Sequence, residues 1–342
     1  MKKACIVLPK YLQNNAIFDK NSKLNRDNIF NKYIELKKEL QKYGFDLSTN
    51  DINIIEESEI IFYFDMPKTL PNIDKIKNSF LILVESELIR PDNYHLEKHK
   101  YFNKIFTWHD ELVDDKKYFK LNFSHLFPKS INKDLSKKQK LCTLIAGNKR
   151  LTHPLELYSK RIEAIRWFEK NHPQDFDLYG VGWDKYRFSG PILIRAFNRV
   201  PFLPKLFAKL TGQNYPSYKG MVENKKETME KYKFSICYEN AKDIPGYITE
   251  KIFDSFFAGC IPIYWGANNI LEYIPKECFI DFRDFDSYNE LYKFIRNMND
   301  NDYMNYLENI EYYLKSELAF QFTGIYFSKK ISTTIIKGTV ND

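Results

Sequence analysis

The stretch of residues 232–285 constrains the fold more than any other part of the chain. Residues 234–238 form a mostly apolar run that is typical of a buried parallel strand, and residues 260–265 form a second such run. Between the two runs, Thr249 stands at an N-cap position before an apolar helical face. The pattern therefore predicts one right-handed unit of strand, helix and strand, with polar residues gathered at the carboxyl edge of its sheet.

Strand-like runs alternate with helical patterns in the rest of the chain as well, which indicates an α/β fold. The predicted strands lie at residues 4–8, 60–64, 80–84, 104–108, 141–146 and 176–179, and the predicted helices at 28–43, 154–170 and within 288–330. Residues 129–140 are polar and almost free of apolar side chains, so we place a domain boundary there. We therefore expect two Rossmann-like, doubly wound domains, at 1–135 and 136–342, with an insertion at 187–218 and C-terminal helices in the second.

The composition supports two domains and argues against a nucleic-acid partner. The chain has 342 residues, of which 44% are hydrophobic, and this is enough to fill two α/β cores of usual size. The formal net charge of +7 is spread among 52 basic and 45 acidic residues rather than gathered in one block. A ligand that carries phosphates remains an attractive partner.

The N-terminus and the cysteines predict a cytoplasmic location. The apolar run between Lys3 and Pro9 is too short for a signal-peptide core and far too short to span a bilayer. The cysteines are odd in number and show no metal-ligand spacing, which favours reduced residues of a protein core. They are Cys5, Cys142, Cys237, Cys260 and Cys278.

The segment 187–218 does not fit the simple alternation of strands and helices. It is apolar and basic, and it contains no acidic residue. One interpretation is a peripheral contact with an anionic membrane face, where lipid-linked acceptors would reside. The other is an insertion that packs on its own domain. The sequence leaves both open.

Five ordered sequence blocks resemble the signature of the α-1,3/1,4-fucosyltransferases, glycosyltransferase family ten. The blocks are Tyr-Lys-Phe at 232–234, Tyr-Glu-Asn at 238–240, Tyr-Ile-Thr-Glu-Lys at 247–251, Ile-Pro-Ile-Tyr-Trp-Gly at 261–266 and Phe-Ile-Asp at 279–281. The resemblance implies the GT-B architecture, in which two Rossmann-like domains face a central cleft. Because the chain lacks the membrane anchor and paired cysteines of animal members, it is similar to a bacterial or viral, intracellular member.

The resemblance also implies an activity. The implied reaction is inverting transfer of L-fucose from GDP-β-L-fucose to a glycan hydroxyl, in an α-1,3-type linkage. The implied acceptor contains N-acetylglucosamine or galactose, such as a lipopolysaccharide O-antigen. No cofactor is required, although a divalent cation could stimulate the reaction. Two alternatives stay open: a transferase of the same fold for another nucleotide-linked deoxysugar, and a noncatalytic nucleotide-binding protein.

Glu85 is the candidate general base. Sugar transfer needs a group that removes the proton of the acceptor hydroxyl, and Glu85 ends an apolar run that carries it to a sheet edge. The carboxylate of the family that follows an apolar strand of the first domain matches Glu85, and Glu87 is its rival. A glutamate at the end of a strand is otherwise often only solvated.

Lys251 and Arg161 are the candidate cations for the departing diphosphate. Lys251 is expected in the first turn of the helix that Thr249 caps, where the helix dipole disfavours a cation unless an anion also binds. The family's Asn after an apolar strand and Arg early in the next helix suggest Asn148 and Arg161. Since that spacing is longer here than in animal members, Arg150 and Arg166 stay open as alternatives to Arg161. The other candidates for the donor site are Glu239, Asn240, Tyr247, Thr249 and Glu250.

The sequence predicts no metal site. Three Asp-x-Asp triplets, at 175–177, 284–286 and 300–302, imitate the metal motif of the other large transferase architecture. The first begins a predicted strand instead of ending one, and the last lies in a charged helical region. We therefore expect cationic side chains rather than a metal ion to neutralise the diphosphate.

Overall fold

Two parallel β-sheets, one from each half of the chain, form the framework of the protein. A computed structural model describes residues 1–186, 188, 191–211 and 214–340, with side chains up to residue 336. The predicted insertion at 187–218 therefore falls outside the described residues at 187, 189–190 and 212–213.

The first sheet is covered on both faces by apolar side chains. Its strands are β1 (Lys2–Val7), β2 (Phe45–Thr49), β3 (Ile60–Phe64), β4 (Ser79–Leu83), β5 (Lys104–Thr107) and β6 (Tyr118–Lys120). They are parallel, in the order β2-β1-β3-β4-β5-β6. Consecutive residues point to opposite faces, so Phe62 and Tyr63 of β3 enter two different buried clusters. Helix α1 (Asn31–Gln41) packs Leu36 and Leu40 into the first of these clusters.

The second sheet has the same relative strand order. Its strands are β7 (Lys140–Ile145), β8 (Phe176–Tyr179), β9 (Tyr232–Tyr238), β10 (Ile261–Trp265) and β11 (Ile280–Asp281). They pair in parallel in the order β11-β10-β9-β7-β8. In both sheets the strand order reverses next to the first strand, β1 or β7. Open α/β sheets bind ligands at such a switch point.

The remaining α-helices of the described residues belong to the second half of the sequence. They are α2 (Tyr158–Asn171), α3 (Ile192–Ala196), α4 (Leu203–Leu210), α5 (Lys225–Met229), α6 (Glu250–Phe257), α7 (Tyr288–Asn297), α8 (Asp300–Leu314), α9 (Glu317–Phe320) and α10 (Gly324–Val340). The unit β9-α6-β10 is the strand, helix and strand that the sequence predicts, and β9 and β10 pair directly. Its buried residues Ile252, Phe253 and Phe256 fill the core of the second domain.

The last helix does not stay with the second domain, to which the prediction 136–342 assigned it. Helix α10 crosses back and packs along α1 of the first domain. Phe327, Ile331 and Ile335, which are four residues apart, complete the buried cluster on that face of the first sheet. Because an amphipathic stripe does not specify its partner, the sequence pattern alone could not place this helix.

The structure shows the state of the cysteines and the character of the helices. All five cysteines are buried free thiols, in agreement with their predicted place in the core. Within the described part of the chain, no helix combines the length and the apolar character that crossing a membrane would require.

Candidate active site

A cleft of about 570 Å³ lies where the carboxyl ends of strands from both sheets meet. The first domain contributes Lys32, Val84, Glu85 and Phe123, among others, and the second contributes the ends of β7 and β9 and the start of α6. Seven of the nine site residues predicted from the sequence line this cleft. They are Glu85, Arg161, Asn240, Tyr247, Thr249, Glu250 and Lys251. The other two, Asn148 and Glu239, lie beside it.

The backbone of Glu85 is held firmly at the end of β4. Asp65 has a positive φ of 61°, and its Oδ1 accepts hydrogen bonds from the amides of Val84 (2.7 Å) and Glu85 (3.0 Å). The fully buried Asn93 donates to the same oxygen at 2.7 Å and to the carbonyl of Glu85 at 3.1 Å. Trp108 Nε1 donates to the carbonyl of Val84 at 2.9 Å. The loop is therefore fixed on both sides, while the Glu85 carboxylate lines the cleft.

The surroundings of Glu85 make its carboxylate a better base than a solvated one. Burial, and next the negative charge of Asp65, raise the pKa of Glu85 above its ordinary value of 4.5, although Lys149 and Lys251 act in the opposite direction. Lys251 lines the same cleft as Glu85. The rival Glu87 is exposed and does not line the cleft.

Lys251 is held by side chains at the start of α6. Its Nζ donates to Thr249 Oγ1 at 2.9 Å, to Glu239 Oε2 at 3.2 Å and to Glu250 Oε1 at 3.3 Å. The side chain of Glu239 is fully buried, whereas that of Glu250 is 47% exposed. Burial acts to lower the pKa of Lys251, but Glu239 and Glu250 outweigh it, so the pKa is raised and the ammonium stays charged.

These contacts correct two details of the sequence interpretation. Thr249 occupies the N-cap position, but its hydroxyl does not cap α6 and instead donates to Glu239 Oε2 at 2.6 Å. The cation in the first helical turn is also compensated within the protein, since Glu239 accepts from the Thr249 amide at 2.8 Å as well as from Lys251. The helix dipole disfavours a cation at this position, and Glu239 offsets that effect without a bound anion.

Glu239 supports the site from behind the cleft wall. Gly266, at the end of β10, packs so tightly on it that an added Cβ would lie 2.6 Å from Glu239 Cγ and 2.4 Å from the Tyr264 hydroxyl. A side chain at position 266 would thus displace the carboxylate that holds Thr249 and Lys251. Glu239, which the sequence suggests for donor binding, thus lies behind the cleft wall and contacts Thr249 and Lys251.

Arg161 is a buried cation without a carboxylate partner in the described part of the protein. It is 4% exposed and lines the cleft. Its Nη2 donates to the carbonyl of Tyr238 at 2.7 Å and to Asn240 Oδ1 at 3.0 Å, and its guanidinium lies 5.0 Å from the centre of the Tyr158 ring. Burial lowers the pKa of Arg161, yet a guanidinium remains charged at neutral pH. An unpaired buried charge of this kind is a ready site for an anion.

The other predicted arginines and Asn148 lie elsewhere. Arg166 forms an ion pair of 2.7 Å with Glu169 and lies 3.9 Å from the centre of the Tyr215 ring, and neither Arg166 nor Arg150 lines the cleft. Asn148 lines a neighbouring cavity of about 430 Å³ and donates to the carbonyl of Gly182 at 3.0 Å. Of the three arginines left open by the sequence, Arg161 is the one in the cleft.

Tyr247 joins the two domains at the floor of the cleft. It is 1% exposed, its hydroxyl accepts from Asn240 Nδ2 at 3.3 Å, and its ring lies 4.7 Å from that of Trp108 of the first domain. The preceding Gly246 has a φ of +79°, and an added Cβ there would lie 2.3 Å from the Trp108 carbonyl oxygen. The Pro-Gly pair of the loop after β9 therefore permits a close approach of the two backbones.

Two lysines of the cleft were not predicted from the sequence. Lys32 of α1 lines the cleft, and burial lowers its pKa although Asp65, Glu250 and Glu85 oppose that effect. Lys225 lines the cleft too and forms an ion pair of 2.9 Å with Asp254. No local pattern could have found either lysine, because an isolated lysine near a helix end is normally solvated.

The Asp-x-Asp triplets are used for structural contacts. Asp177 pairs with Lys140 at 2.9 Å, Asp175 accepts from the Tyr292 hydroxyl at 2.7 Å, and Asp300 pairs with Lys233 at 3.1 Å. Among the described residues, no group of three or more His, Cys, Asp or Glu side chains has an arrangement that could hold a metal ion.

Known proteins with related sequences point to one family. A family model described as glycosyltransferase family 10 (fucosyltransferase) C-term matches residues 200–329. An alpha-(1,3)-fucosyltransferase of Helicobacter pylori is 39% identical over 75 residues, which are 22% of this chain and 16% of the relative. The mouse 4-galactosyl-N-acetylglucosaminide 3-alpha-L-fucosyltransferase 9 is 33% identical over 117 residues, which are 32% of each chain. The chain thus spans less than a third of the length of these relatives.

The fold is similar over nearly the whole chain. A crystal structure of an alpha1,3-fucosyltransferase with GDP-fucose superposes with a TM-score of 0.55 at 15% sequence identity, covering 98% of this chain and 91% of that one. This likeness confirms the predicted GT-B fold of two parallel-sheet domains. Residues 200–329 therefore match glycosyltransferase family 10, the fucosyltransferases, and the chain as a whole shares the fold of a solved alpha1,3-fucosyltransferase.

Proposed function

We propose that this protein is an inverting fucosyltransferase that moves L-fucose from GDP-β-L-fucose to a hydroxyl group of a glycan, in an α-1,3-type linkage. One observation carries the proposal: Glu85 of the first domain lines the same cleft as Arg161 and Lys251 of the second. A carboxylate on one side and fixed positive charge on the other are what transfer from a nucleoside diphosphate sugar requires. The names of the related sequences support fucose as the sugar.

The acceptor hydroxyl is activated by Glu85. The carboxylate takes the hydroxyl proton while the acceptor oxygen forms a bond to the anomeric carbon of fucose. The bond from that carbon to the diphosphate oxygen breaks in the same step, and GDP leaves with the bonding electrons. Attack from the face opposite the diphosphate turns the β-linked donor into an α-linked product. The raised pKa of Glu85 favours proton transfer, because it brings the carboxyl group closer to the working pH.

The charge that develops on GDP is stabilised by Arg161 and Lys251. Arg161 has no carboxylate to displace, so the diphosphate can bind it directly. Lys251 already has three partners, and the half-exposed Glu250 is the one that a phosphate oxygen can replace while the buried Glu239 stays in place. Glu250 then becomes free to accept hydrogen bonds from the ribose or the sugar.

The remaining parts of the proposal concern the acceptor, cofactors and location. The acceptor is a glycan that contains N-acetylglucosamine or galactose, such as a lipopolysaccharide O-antigen. Because two cationic side chains supply the charge, no metal ion is required, and we expect transfer to continue in EDTA. The enzyme works in the cytoplasm, and the 187–218 segment makes a peripheral contact with an anionic membrane.

A ligand panel and a product assay test the proposal together. The expected result is a rise in melting temperature with GDP and GDP-fucose but not with UDP- or dTDP-sugars, since only a bound ligand stabilises the folded state. Incubation with GDP-fucose and an N-acetyllactosamine acceptor should then release GDP and give an α-1,3-linked product by NMR. Stabilisation by a different nucleotide sugar would assign another donor, and binding without turnover would make the protein a noncatalytic binder.

A further inference from the structure

The segment 191–211 carries an unusual number of exposed apolar side chains. Ile192 and Leu193 of α3 are 76% and 83% exposed, and Phe202 and Leu210 at the two ends of α4 are 66% and 71% exposed. Ile194, Phe197 and Leu206 are each more than 40% exposed as well. Isolated exposed leucines are ordinary, but a group of this size within 20 residues marks a surface that contacts something else.

Although these side chains are exposed, the segment also has a packed inner side. The inner side of α4 packs Phe207 against Phe188, with ring centres 5.0 Å apart, and Phe188 lies 5.6 Å from Phe197. The side chain of Asn198 exchanges two hydrogen bonds with the backbone of Phe188, at 2.9 and 2.8 Å. Pro204 and Ala208 are buried on the same side. The segment is therefore a built element with one packed face.

The outer face of α4 is also apolar, and it is flanked by positive charge. Phe202, Leu206 and Leu210 are spaced four residues apart and form one exposed stripe along the helix. Lys205 and Lys209 precede the last two of these residues and follow the same spacing. Only Lys205 of the two forms an ion pair with a described residue, Asp184 at 3.2 Å. The segment 187–218 contains five basic residues and no acidic one.

The segment borders the candidate active site. Asn198 and Pro204 line the neighbouring cavity together with Gly147 and Lys149, and the last two also line the cleft. A surface that held α3 and α4 would therefore lie close to the entrance of the site. A glycan acceptor attached to a lipid would be presented at such a surface.

We propose that α3 and α4 dock on the surface of an anionic lipid bilayer, with their exposed apolar side chains among the headgroups and acyl chains. Apolar residues with flanking lysine and arginine are the composition of interfacial helices that bind anionic lipids. The absence of acidic residues disfavours a second copy of this chain as the occupant, since two such surfaces would repel each other. This inference rests on the membrane contact in the proposed function and assigns it to α3 and α4, and its test requires neither the identity of the donor nor turnover.

Vesicle sedimentation tests the proposal. The full chain should pellet with vesicles that contain phosphatidylglycerol, pellet weakly with pure phosphatidylcholine and be released by high salt. The double substitution Leu193→Glu/Leu206→Glu should lower the partition coefficient by about tenfold or more, because it places charge among the acyl chains. Arg195→Gln/Lys209→Gln should weaken binding to the anionic vesicles by about fivefold per charge. Transfer to a water-soluble acceptor should be unchanged in both.

A matched control and a second measurement decide the outcome. Ile73→Glu changes an apolar residue that is 83% exposed, like Leu193, but lies in the first domain, and it should leave vesicle binding intact. Equal binding of the wild-type chain and Leu193→Glu/Leu206→Glu would overturn the proposal, as would no binding by the wild type. Sedimentation velocity without lipid tests whether a second copy of the chain binds this surface instead. A dimer that dissociates in Leu193→Glu/Leu206→Glu would make the surface an interface between copies and would overturn the proposal.

Discussion

The two walls of the cleft differ in how their functional side chains are held. In the second domain, Arg161 is hydrogen-bonded to Asn240, which donates to Tyr247, and Lys251 is hydrogen-bonded to Glu239 in a second group. In the first domain, the backbone of Glu85 is fixed by Asp65, but no described residue forms a hydrogen bond or ion pair with its carboxylate. The second wall thus presents cations fixed by hydrogen bonds, and the first presents a carboxylate that no described residue binds.

This difference predicts separate effects of substitutions on binding and on turnover. Changes in the second wall should weaken the donor complex, because preorganised charge is used in the ground state and increasingly in the transition state. Changes at Glu85 should leave the donor complex intact and slow the chemical step. Measurements that mix these two outcomes would break the comparison.

The largest expected effect belongs to Glu85→Gln. The amide keeps the size of the side chain but cannot take the acceptor proton, so kcat should fall by about 10²–10⁴-fold. The dissociation constant of GDP-fucose, measured by calorimetry, should stay within about threefold, well under a tenfold change of 1.4 kcal/mol. Glu87→Gln is the matched control two residues away and should keep wild-type turnover. The opposite pattern would transfer the role of base to Glu87.

Arg161→Ala should produce the next largest effect, on binding and turnover together. It removes a buried cation that no carboxylate compensates, so we expect GDP affinity to fall strongly and kcat to fall by about 10²–10³-fold. Lys170→Ala removes an exposed cation from the same helix and should change neither quantity. If Arg161→Ala bound GDP normally, the diphosphate would have to lie on another cation, and the division between the two walls would fail.

Glu239→Gln tests whether the hydrogen bonds of Glu239 to Thr249 and Lys251 stabilise the folded protein. Because Glu239 is fully buried and accepts from Thr249 and Lys251, the neutral side chain should lower the free energy of unfolding by about 1–3 kcal/mol. Glu308→Gln alters an exposed glutamate of α8 and should have almost no effect in the same denaturant titration. Unchanged stability in Glu239→Gln would show that these hydrogen bonds add nothing to folding.

The smallest expected effect is a displacement of the pH profile. Glu85 must be deprotonated to act as a base, so kcat/KM should fall as the pH drops through its pKa, which burial and Asp65 raise above 4.5. Lys149 opposes this rise, and Lys149→Gln should therefore move the acidic limb to still higher pH. A limb that stays in place, or that moves to lower pH, would show that another group controls the profile.

The fold could be predicted where the strands are continuous apolar runs. Strand β3 begins and ends at the predicted residues, β4 is shifted by one residue at both ends, and β5 ends one residue early. Strands β2, β6 and β11 were missed, because the first mixes polar and apolar residues and the other two have three residues or fewer. The position of α10 depends on a contact between the two ends of the chain, which no local pattern encodes.

The site residues that lie at strand ends or within the sequence blocks could be predicted. The blocks placed Asn240, Tyr247 and Lys251 correctly at the edge of one sheet. The partner of the Thr249 hydroxyl could not be foreseen, since it depends on how closely β9 approaches α6 in space. The same holds for Lys32, which reaches the cleft from a helix of the other domain.

A crystal structure of Glu85→Gln with GDP-fucose would test the central claim most directly, because the substitution should trap the donor before transfer. The account predicts diphosphate oxygens within about 2.7–3.2 Å of both Arg161 and Lys251. It also predicts that the anomeric carbon of fucose faces the side chain at position 85. A diphosphate bound away from these two cations, or a sugar turned away from position 85, would contradict it.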